Sequence, residues 1–216
     1  MTAPETVPNV PKSPDALAAY HHRWIAGGAR TALLLHGTGG NEDDLLPIAA
    51  ELFPGASVLA LRGNVLEGSM LRFFRRLAEG VFDQADLAFR TTQLAAFVTA
   101  AAAAYKFDLS QLTAIGFSNG ANIAASVLLR HPGMLRQAVL FRAMVPSAAK
   151  PEKSARGTRV YIGAGQRDPI IPPPNVEQLA ALLRESGADV TLEWRTAGHG
   201  LTAEDIDGAQ RWLALG

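Results

Sequence analysis

The sequence predicts an α/β protein built on a mostly parallel, doubly wound sheet. From residue 31 onward, short runs of apolar residues alternate with longer segments of helical character. Apolar runs without polar alternation are typical of parallel strands that helices cover on both faces. No internal repeat or low-complexity linker interrupts this order, which predicts a single domain.

Seven short segments are predicted to be strands. The run at 32–35 is wholly apolar and ends in the glycine-rich turn 37–40. Residues 20–26 are predicted to add an antiparallel strand at one edge of the sheet. In chain order, the predicted strands lie at 20–26, 32–35, 57–61, 112–117, 135–141, 159–162 and 190–194.

Five segments are predicted to be helices, and several carry their own start or stop signal. Asn41 can cap a helix whose first turn holds the acidic residues 42–44, where carboxylates favour the helix dipole. Pro132 stops the helix after Ser118, and Gly187 ends the following one as a C′ glycine. The predicted helices lie at 41–53, 91–105, 119–130, 175–186 and 203–213, and the segment 62–86 is predicted to be irregular.

The composition excludes several classes of protein. A chain of 216 residues with 48% hydrophobic and 19% charged residues is too apolar to be disordered. Its 20 basic residues cancel its 20 acidic ones, so no overall field favours nucleic acid or an anionic membrane as a partner. The absence of cysteine excludes disulfides, thiolate metal sites and a cysteine nucleophile.

The ends of the predicted domain follow from the same composition. Residues 1–19 are predicted to form an extended, proline-rich leader, and residues 20–216 the single domain. The apolar stretch 94–105 is shorter than the roughly 20 residues of a membrane span, so it is predicted to be a buried helix. No secretory signal is recognisable. We therefore expect a soluble, cytoplasmic protein, as a monomer or homodimer.

Ser118 is the candidate nucleophile. It lies in Gly116-Phe117-Ser118-Asn119-Gly120, a G-x-S-x-G motif placed where a predicted strand passes into a predicted helix. A serine at such a sharp turn projects its hydroxyl above the sheet, and the helix N-terminus directs backbone N–H groups at a developing oxyanion. The alternative, a chance occurrence of the motif, is disfavoured by this strand-turn-helix setting.

His199 is the candidate general base. Among the five histidines, only His199 follows Ser118 in a loop at the carboxyl end of a predicted strand. His36 precedes the serine, whereas the expected chain order is serine, acid, histidine. Asp168 is the candidate third member, because it lies between the two in the loop after the strand 159–162. Its carboxylate would hold the imidazole tautomer and stabilise the imidazolium.

Two other carboxylates are alternatives to Asp168 as the third member. Asp189 opens the last predicted strand at its amino end, and Glu193 lies within that strand, so neither is at the expected edge of the sheet. The oxyanion hole is predicted from two backbone donors, the N–H groups of Asn119 and Thr38. The glycines of the 36–40 turn allow the close backbone approach that the second donor needs.

Five segments together resemble one family. The chain is similar to the carboxylesterase/phospholipase family of α/β-hydrolases, which includes the acyl-protein thioesterases, and most similar to its bacterial "predicted esterase" branch. The resemblance spans roughly residues 20–215 and is carried by LLLHGTGGNEDDLLPIA (33–49), LRFFRRLAEGVFDQADL (71–87), GFSNGANIAAS (116–126), GAGQRDPIIP (163–172) and AGHGLT (197–202).

The resemblance implies an α/β-hydrolase fold without a separate cap domain and with Ser118, Asp168 and His199 as its triad. One departure concerns the substrate. The thioesterase branch typically carries a tryptophan-containing motif near its acyl site, whereas residues 71–76 of this chain read LRFFRR. Long-chain acyl groups are therefore not expected.

The pocket is predicted from the same segment. Phe73 and Phe74 would form an apolar wall, and Arg72 would pair with a carboxylate or another anion of the substrate. Met144, after the strand 135–141, is predicted to line the pocket as well. The alternative for this segment is a surface helix whose phenylalanines face the core and whose arginines are solvated or paired with Glu67. For Met144 the alternative is ordinary packing.

The sequence thus predicts a serine carboxylesterase that acts on small to medium esters, including aryl or anionic ones, through an acyl-enzyme. This mechanism needs neither cofactor nor metal. Thioesterase or lysophospholipase activity is the alternative within hydrolases, and a non-catalytic binding module on the same fold is the alternative outside them. Dienelactone hydrolysis is disfavoured, since its usual cysteine nucleophile cannot exist in this chain.

Overall fold

The computed structural model describes residues 14–147 and 154–215. Its helices are α1 (Leu46–Leu52), α2 (Gln84–Tyr105), α3 (Asn119–Arg130), α4 (Pro173–Glu185) and α5 (Ala203–Ala214). Its strands are β1 (His22–Ile25), β2 (Gly28–Leu35), β3 (Ala56–Leu61), β4 (Val65–Glu67), β5 (Met70–Arg72), β6 (Arg76–Ala78), β7 (Val81–Phe82), β8 (Leu112–Phe117), β9 (Gln137–Phe141), β10 (Arg159–Gly165) and β11 (Asp189–Arg195).

Within the described residues, seven strands form one sheet in the order β1-β3-β2-β8-β9-β10-β11. β1 pairs antiparallel with β3, and every other neighbouring pair is parallel. The predicted mostly parallel α/β architecture is therefore confirmed, including the antiparallel edge strand. Because β2, β8, β10 and β11 run the same way, the loops that follow them meet at one edge of the sheet.

Helices cover both faces of the sheet. Alternate residues of β2 point to opposite faces, so Leu33 and Leu35 belong to one apolar cluster and Ala32 and Leu34 to another. The first cluster includes buried residues of α2, α3 and α4, and the second includes those of α1 and α5. The central strands β2, β8, β9 and β10 are thus buried on both sides over most of their length, which explains their continuous apolar sequence.

Within the predicted domain, the largest differences from the sequence prediction concern three segments. α1 begins at Leu46 because residues 42–45 form turns. α2 begins at Gln84, earlier than predicted, because the Asp83 side chain accepts a hydrogen bond from the Asp86 N–H and caps the helix. Residues 62–86 contain two antiparallel hairpins, β4–β5 and β6–β7. The hairpins carry part of the site described below.

The predicted leader 1–19 is wrong for its last six residues. Pro14–Ala19 form a 3-10 helix that packs against α2, so this stretch is not extended. The remaining leader, residues 1–13, lies outside the described residues.

By length and composition alone, α2 could cross a membrane. In the domain, however, its apolar side packs against α3, with Leu87, Leu94 and Phe97 fully buried in the core.

Candidate active site

Ser118 occupies the sharp turn between β8 and α3. Its backbone has φ 50° and ψ −113°, a conformation that a non-glycine residue adopts only when its surroundings enforce it. The Ser118 N–H donates to the Phe141 carbonyl at 2.9 Å. A Cβ on Gly116 would lie 2.6 Å from the Ala121 Cα, and one on Gly120 would collide with the Leu35 carbonyl oxygen. Both glycines are therefore required by the close approach of strand and helix.

Three side chains that are remote in sequence form one hydrogen-bonded chain. His199 Nε2 lies 2.9 Å from Ser118 Oγ, and His199 Nδ1 lies 2.8 Å from Asp168 Oδ2. A carboxylate can only accept, so Nδ1 carries the proton and Nε2 is the acceptor for the serine hydroxyl. The imidazole is therefore oriented to take a proton from Ser118.

Asp168 is almost fully buried and is oriented by its own loop. Its Oδ1 accepts from the N–H groups of Ile170 and Ile171 at 2.8 and 3.1 Å. The Arg167 N–H donates to the Ala197 carbonyl at 3.0 Å, which ties the aspartate loop to the histidine loop. These bonds leave Oδ2 directed at the imidazole.

The two predicted oxyanion donors border the same space as the serine. Thr38 and Asn119 both line the cavity that holds Ser118 and His199. Within the part of the chain that the structure describes, their backbone N–H groups have no other hydrogen-bond partner. The Thr38 loop is held by Arg72, whose Nη1 donates to Thr38 Oγ1 at 2.6 Å, and by the Gly39 N–H, which donates to the Leu71 carbonyl at 2.8 Å.

The cavity beside Ser118 has a volume of about 270 Å³. Arg72 and Met144, both predicted from the sequence, line it. It is also lined by residues that the sequence analysis did not single out: Met70, Arg76, Glu79, Gly80, Phe82, Phe117, Asn122 and Ile170. Most of these lie on the two hairpins or on loops, where no periodicity in the sequence distinguishes a cavity-facing side chain from a core one.

Phe73 and Phe74 do not form the predicted wall of the pocket. Both are fully buried and neither is among the residues that line the cavity. The Phe73 ring packs 4.9 Å from the ring of His36, and the Phe74 ring packs edge-on at 4.9 Å against Phe82. Of these three phenylalanines, Phe82 is the one that lines the cavity. The alternative is therefore correct in placing both phenylalanines in the core, but wrong in predicting a helix, since the segment forms hairpins.

Arg72 is a buried cation at the cavity. Its Nε donates to the Phe74 carbonyl at 3.2 Å and lies 3.4 Å from a carboxylate oxygen of Glu67. Glu67 is engaged more closely by Arg76, whose Nη2 donates at 2.7 Å, so Glu67 compensates the charge of Arg72 only in part. Burial, and then the charge of Arg76, lower the pKa of Arg72 from its ordinary value. Among the described residues, Arg72 donates hydrogen bonds from Nε and Nη1, and none joins its Nη2 to a protein acceptor.

Within residues 14–147 and 154–215, no group of three histidine or carboxylate side chains could hold a metal ion. Two asparagines at this edge, the buried Asn122 and the half-buried Asn175, hold the backbone of the loop after β9. Asn122 Oδ1 accepts from the Met144 N–H and Asn175 Oδ1 from the Val145 N–H. These bonds hold the loop after β9 at the cavity.

The fold and the geometry of this site define a hydrolase of the α/β-hydrolase class. Solved structures agree: the chain superposes on a Bacillus cereus carboxylesterase with a TM-score of 0.90 and 46% identity, covering 93% of this chain and 96% of that one. A Mesorhizobium loti carboxylesterase matches with a TM-score of 0.87 and 33% identity, over 94% of this chain and 98% of that one.

Sequence comparison gives the family. Residues 74–211 match the dienelactone hydrolase family, and the chain is 45% identical over 180 residues to "Putative hydrolase MhqD" of Bacillus subtilis (strain 168), covering 83% of this chain and 90% of that protein. The chain therefore belongs to the dienelactone hydrolase family. The chain lacks the cysteine nucleophile that is usual for dienelactone hydrolysis and has a serine, Ser118, at the turn between β8 and α3.

Proposed function

We propose that this protein is a soluble, cytoplasmic serine carboxylesterase that hydrolyses small to medium esters through an acyl-enzyme. The observation that carries the proposal is the hydrogen-bonded chain Ser118–His199–Asp168 at a cavity bordered by two unpartnered backbone N–H groups. The relatives named as carboxylesterases support the choice of ester over other acyl substrates.

The proposed acylation step gives each of these groups a defined role. Ser118 Oγ attacks the ester carbonyl carbon while its proton passes to His199 Nε2. The carbonyl oxygen becomes an oxyanion, which the N–H groups of Thr38 and Asn119 stabilise. Asp168 stabilises the imidazolium. His199 then protonates the departing alcohol oxygen as the C–O bond breaks, leaving the acyl group on Ser118.

Deacylation repeats these roles with water as the nucleophile. His199 takes a proton from water as the water oxygen attacks the acyl carbon. The second oxyanion then collapses, the bond between the acyl carbon and Ser118 Oγ breaks, and His199 returns the proton to Ser118 Oγ. The products are a carboxylic acid and an alcohol.

The cavity supports a limited range of substrates. A volume of about 270 Å³ is at the small end of ligand sites, which favours short acyl groups or one aromatic ring. Met70, Phe82 and Met144 offer apolar contacts, and the free Nη2 of Arg72 offers a donor to an anionic group. We therefore propose aryl esters and esters that carry a carboxylate as the favoured substrates.

The test is a panel of aryl esters, graded by acyl length and charge and including a thioester. Wild-type protein should hydrolyse short esters faster than long ones, and Ser118→Ala should lose on the order of 10⁶-fold in kcat, as in other serine triads. Ser110→Ala, which changes an exposed serine remote from the cavity, is the matched control and should keep full activity.

Two results would contradict the proposal. Retention of more than about a tenth of kcat by Ser118→Ala would remove the serine from its role. A folded wild-type protein that neither hydrolyses any ester nor reacts with a fluorophosphonate at Ser118 would instead be a binding module on this fold.

A further inference from the structure

A second buried charge lies behind the site, and none of the proposed chemical steps uses it. Arg142 directly follows β9, one residue after the carbonyl that accepts from the Ser118 N–H. Its side chain is completely inaccessible to solvent, and its backbone has φ 54°, a left-handed conformation that costs a non-glycine residue free energy. Favourable interactions must offset the free-energy cost of burying this charge and of the left-handed backbone.

Every N–H of the Arg142 guanidinium has an acceptor. Nε donates to the Gly198 carbonyl at 2.9 Å, and Nη2 to the Gly200 carbonyl at 2.9 Å. Nη1 donates to the Gly163 carbonyl at 3.1 Å. The remaining two N–H groups form a forked pair with Asp205, at 2.9 and 2.7 Å. These five bonds use all five donors that a guanidinium has.

Asp205 is the counter-ion that makes this burial tolerable. It lies in the first turn of α5, where its carboxylate also accepts from the Thr202 N–H at 2.9 Å. Burial alone would raise the pKa of Asp205, but hydrogen bonds from Arg142 and Thr202 hold it below its ordinary value. The carboxylate is therefore charged at neutral pH and cancels the charge of Arg142.

Two of the bonded carbonyls belong to the residues on either side of His199. Gly198 and Gly200 carry no Cβ, so their backbone would otherwise be the most permissive part of this loop. Arg142 fixes both carbonyls from one planar group and anchors them to the end of β10 through Gly163. A lysine could not do this, because its ammonium has only three donors on a flexible stem.

We propose that Arg142, with Asp205 as its counter-ion, is a positioning residue that holds the backbone of the His199 loop. This inference rests on the proposed function, in which His199 must accept a proton from Ser118 and then donate it to the leaving group. The imidazole has to reorient slightly between these two partners while its backbone stays in place. Arg142 touches neither substrate nor Ser118 Oγ, so its effect on turnover passes through His199.

The decisive variant replaces the pair by apolar residues of similar size, Arg142→Met with Asp205→Leu. Removing both charges together leaves no unpaired buried ion, and such replacements are often neutral or stabilising. The double variant should therefore fold, yet lose about 10²-fold in kcat, since misplacement of a catalytic group by roughly 1 Å has that effect. KM should change little, because the cavity is lined by other residues.

Arg142→Lys is the second variant. It keeps a charge opposite Asp205 but loses the fork, so we expect a similar loss of kcat. Arg159→Met is the matched control: Arg159 contacts Trp212 at the other end of α5 and not the histidine loop, so its removal should affect stability and leave kcat unchanged.

The outcomes separate positioning from a purely structural role. Wild-type kcat in the folded double variant or in Arg142→Lys would overturn the proposal. If the double variant does not fold, the Arg142→Lys measurement decides. Magnetic resonance of the His199 ring gives a readout independent of turnover: the hydrogen-bonded Nδ1 proton should be sharp in wild type and lost or exchange-broadened in both variants. An unchanged resonance would also overturn the proposal, whereas absence of ester hydrolysis by wild type would overturn only the proposed function.

Discussion

Backbone strain in the described residues is concentrated at the candidate site. Apart from glycines, only Lys106, Ser118 and Arg142 have a positive φ among the described residues. Lys106 is the residue at which α2 ends, and the other two lie at the site. Ser118 and Arg142 are adjacent in space, since the Ser118 N–H donates to the carbonyl of the residue before Arg142. Packing and hydrogen bonds must offset this strain. The serine thereby projects above the sheet into the cavity, and the arginine is directed beneath the histidine loop.

Arg72 gives the sharpest prediction for substrate choice. Arg72→Ala removes the cation at the cavity and also the bond that holds the Thr38 side chain. Loss of the Thr38 contact should lower kcat/KM equally for every ester. Loss of the charge should lower kcat/KM for a carboxylate-bearing ester by about 10- to 100-fold more than for its neutral counterpart, as expected for a charge-assisted hydrogen bond. The measurement is kcat/KM on the matched pair of aryl esters.

The matched control for this prediction is Arg76→Ala. Arg76 also lines the cavity but is paired closely with Glu67, so its removal should discriminate less between the two esters. Equal losses on charged and neutral esters in Arg72→Ala would show that Arg72 serves the oxyanion loop alone.

At the level of the elements, α2 and α3 are joined by a buried pair of hydroxyls. Thr91 Oγ1 donates to the Leu87 carbonyl at 2.6 Å, which leaves its oxygen to accept from Ser126 Oγ at 2.7 Å. Both side chains are buried in an otherwise apolar contact. Such a hydrogen bond contributes little to the net stability of the fold. Removing one of its two hydroxyls, however, leaves the other buried without a partner.

Thr91→Val should therefore lower the free energy of unfolding by about 1–3 kcal/mol, the cost of an unsatisfied buried polar group. Adding Ser126→Ala should recover part of this loss, because the stranded hydroxyl is removed. Thr99→Val is the control: Thr99 Oγ1 donates only to the Ala95 carbonyl within α2. Urea denaturation measures all four proteins, and a double variant that is less stable than Thr91→Val would contradict the expectation.

For the whole molecule, the architecture was predictable because a parallel sheet that is buried on both faces requires strands that are apolar throughout. The strand 32–35 is apolar throughout since Leu33 and Leu34 meet different helix layers. Ser118, Asp168 and His199 could be proposed together because carboxyl ends of parallel strands meet at one edge. The expected chain order of serine, acid and histidine then identified His199 among the histidines.

The parts that sequence reasoning missed depend on long-range packing. Phe73 and Phe74 lie in a segment without periodicity, so nothing in the sequence separates a core ring from a cavity wall. Arg142 follows an apolar strand, and its charge within residues 137–145 is the one signal that could have been noticed. Its five acceptors come from three separate segments of the chain, which no local pattern specifies.

His36 lies at the same edge of the sheet as the candidate site and contributes to the stability of the whole fold. Its side chain is buried, with Nε2 accepting from the Gly63 N–H at 2.9 Å and Nδ1 lying 2.6 Å from the Gly37 carbonyl. This arrangement requires a neutral imidazole protonated on Nδ1. It links the end of β2 to the chain that leaves β3. Burial, partly offset by the Gly37 carbonyl, lowers the pKa of His36 below its ordinary 6.5.

The direction of the pH effect follows from that shift. Below about pH 6.5 the unfolded chain takes up a proton at residue 36 more readily than the folded protein does, so acidification favours unfolding. The free energy of unfolding should fall as the pH is lowered from 6.5 toward the folded pKa, with a slope of at most about 1.4 kcal/mol per pH unit from this group. In His36→Gln, whose side-chain oxygen can still accept from Gly63 N–H, the protein should be less stable at pH 8 but its stability should depend less on pH in this range. Urea denaturation at half-unit pH intervals measures both, and identical slopes for wild type and His36→Gln would mean that this buried imidazole does not govern the acid stability of the fold.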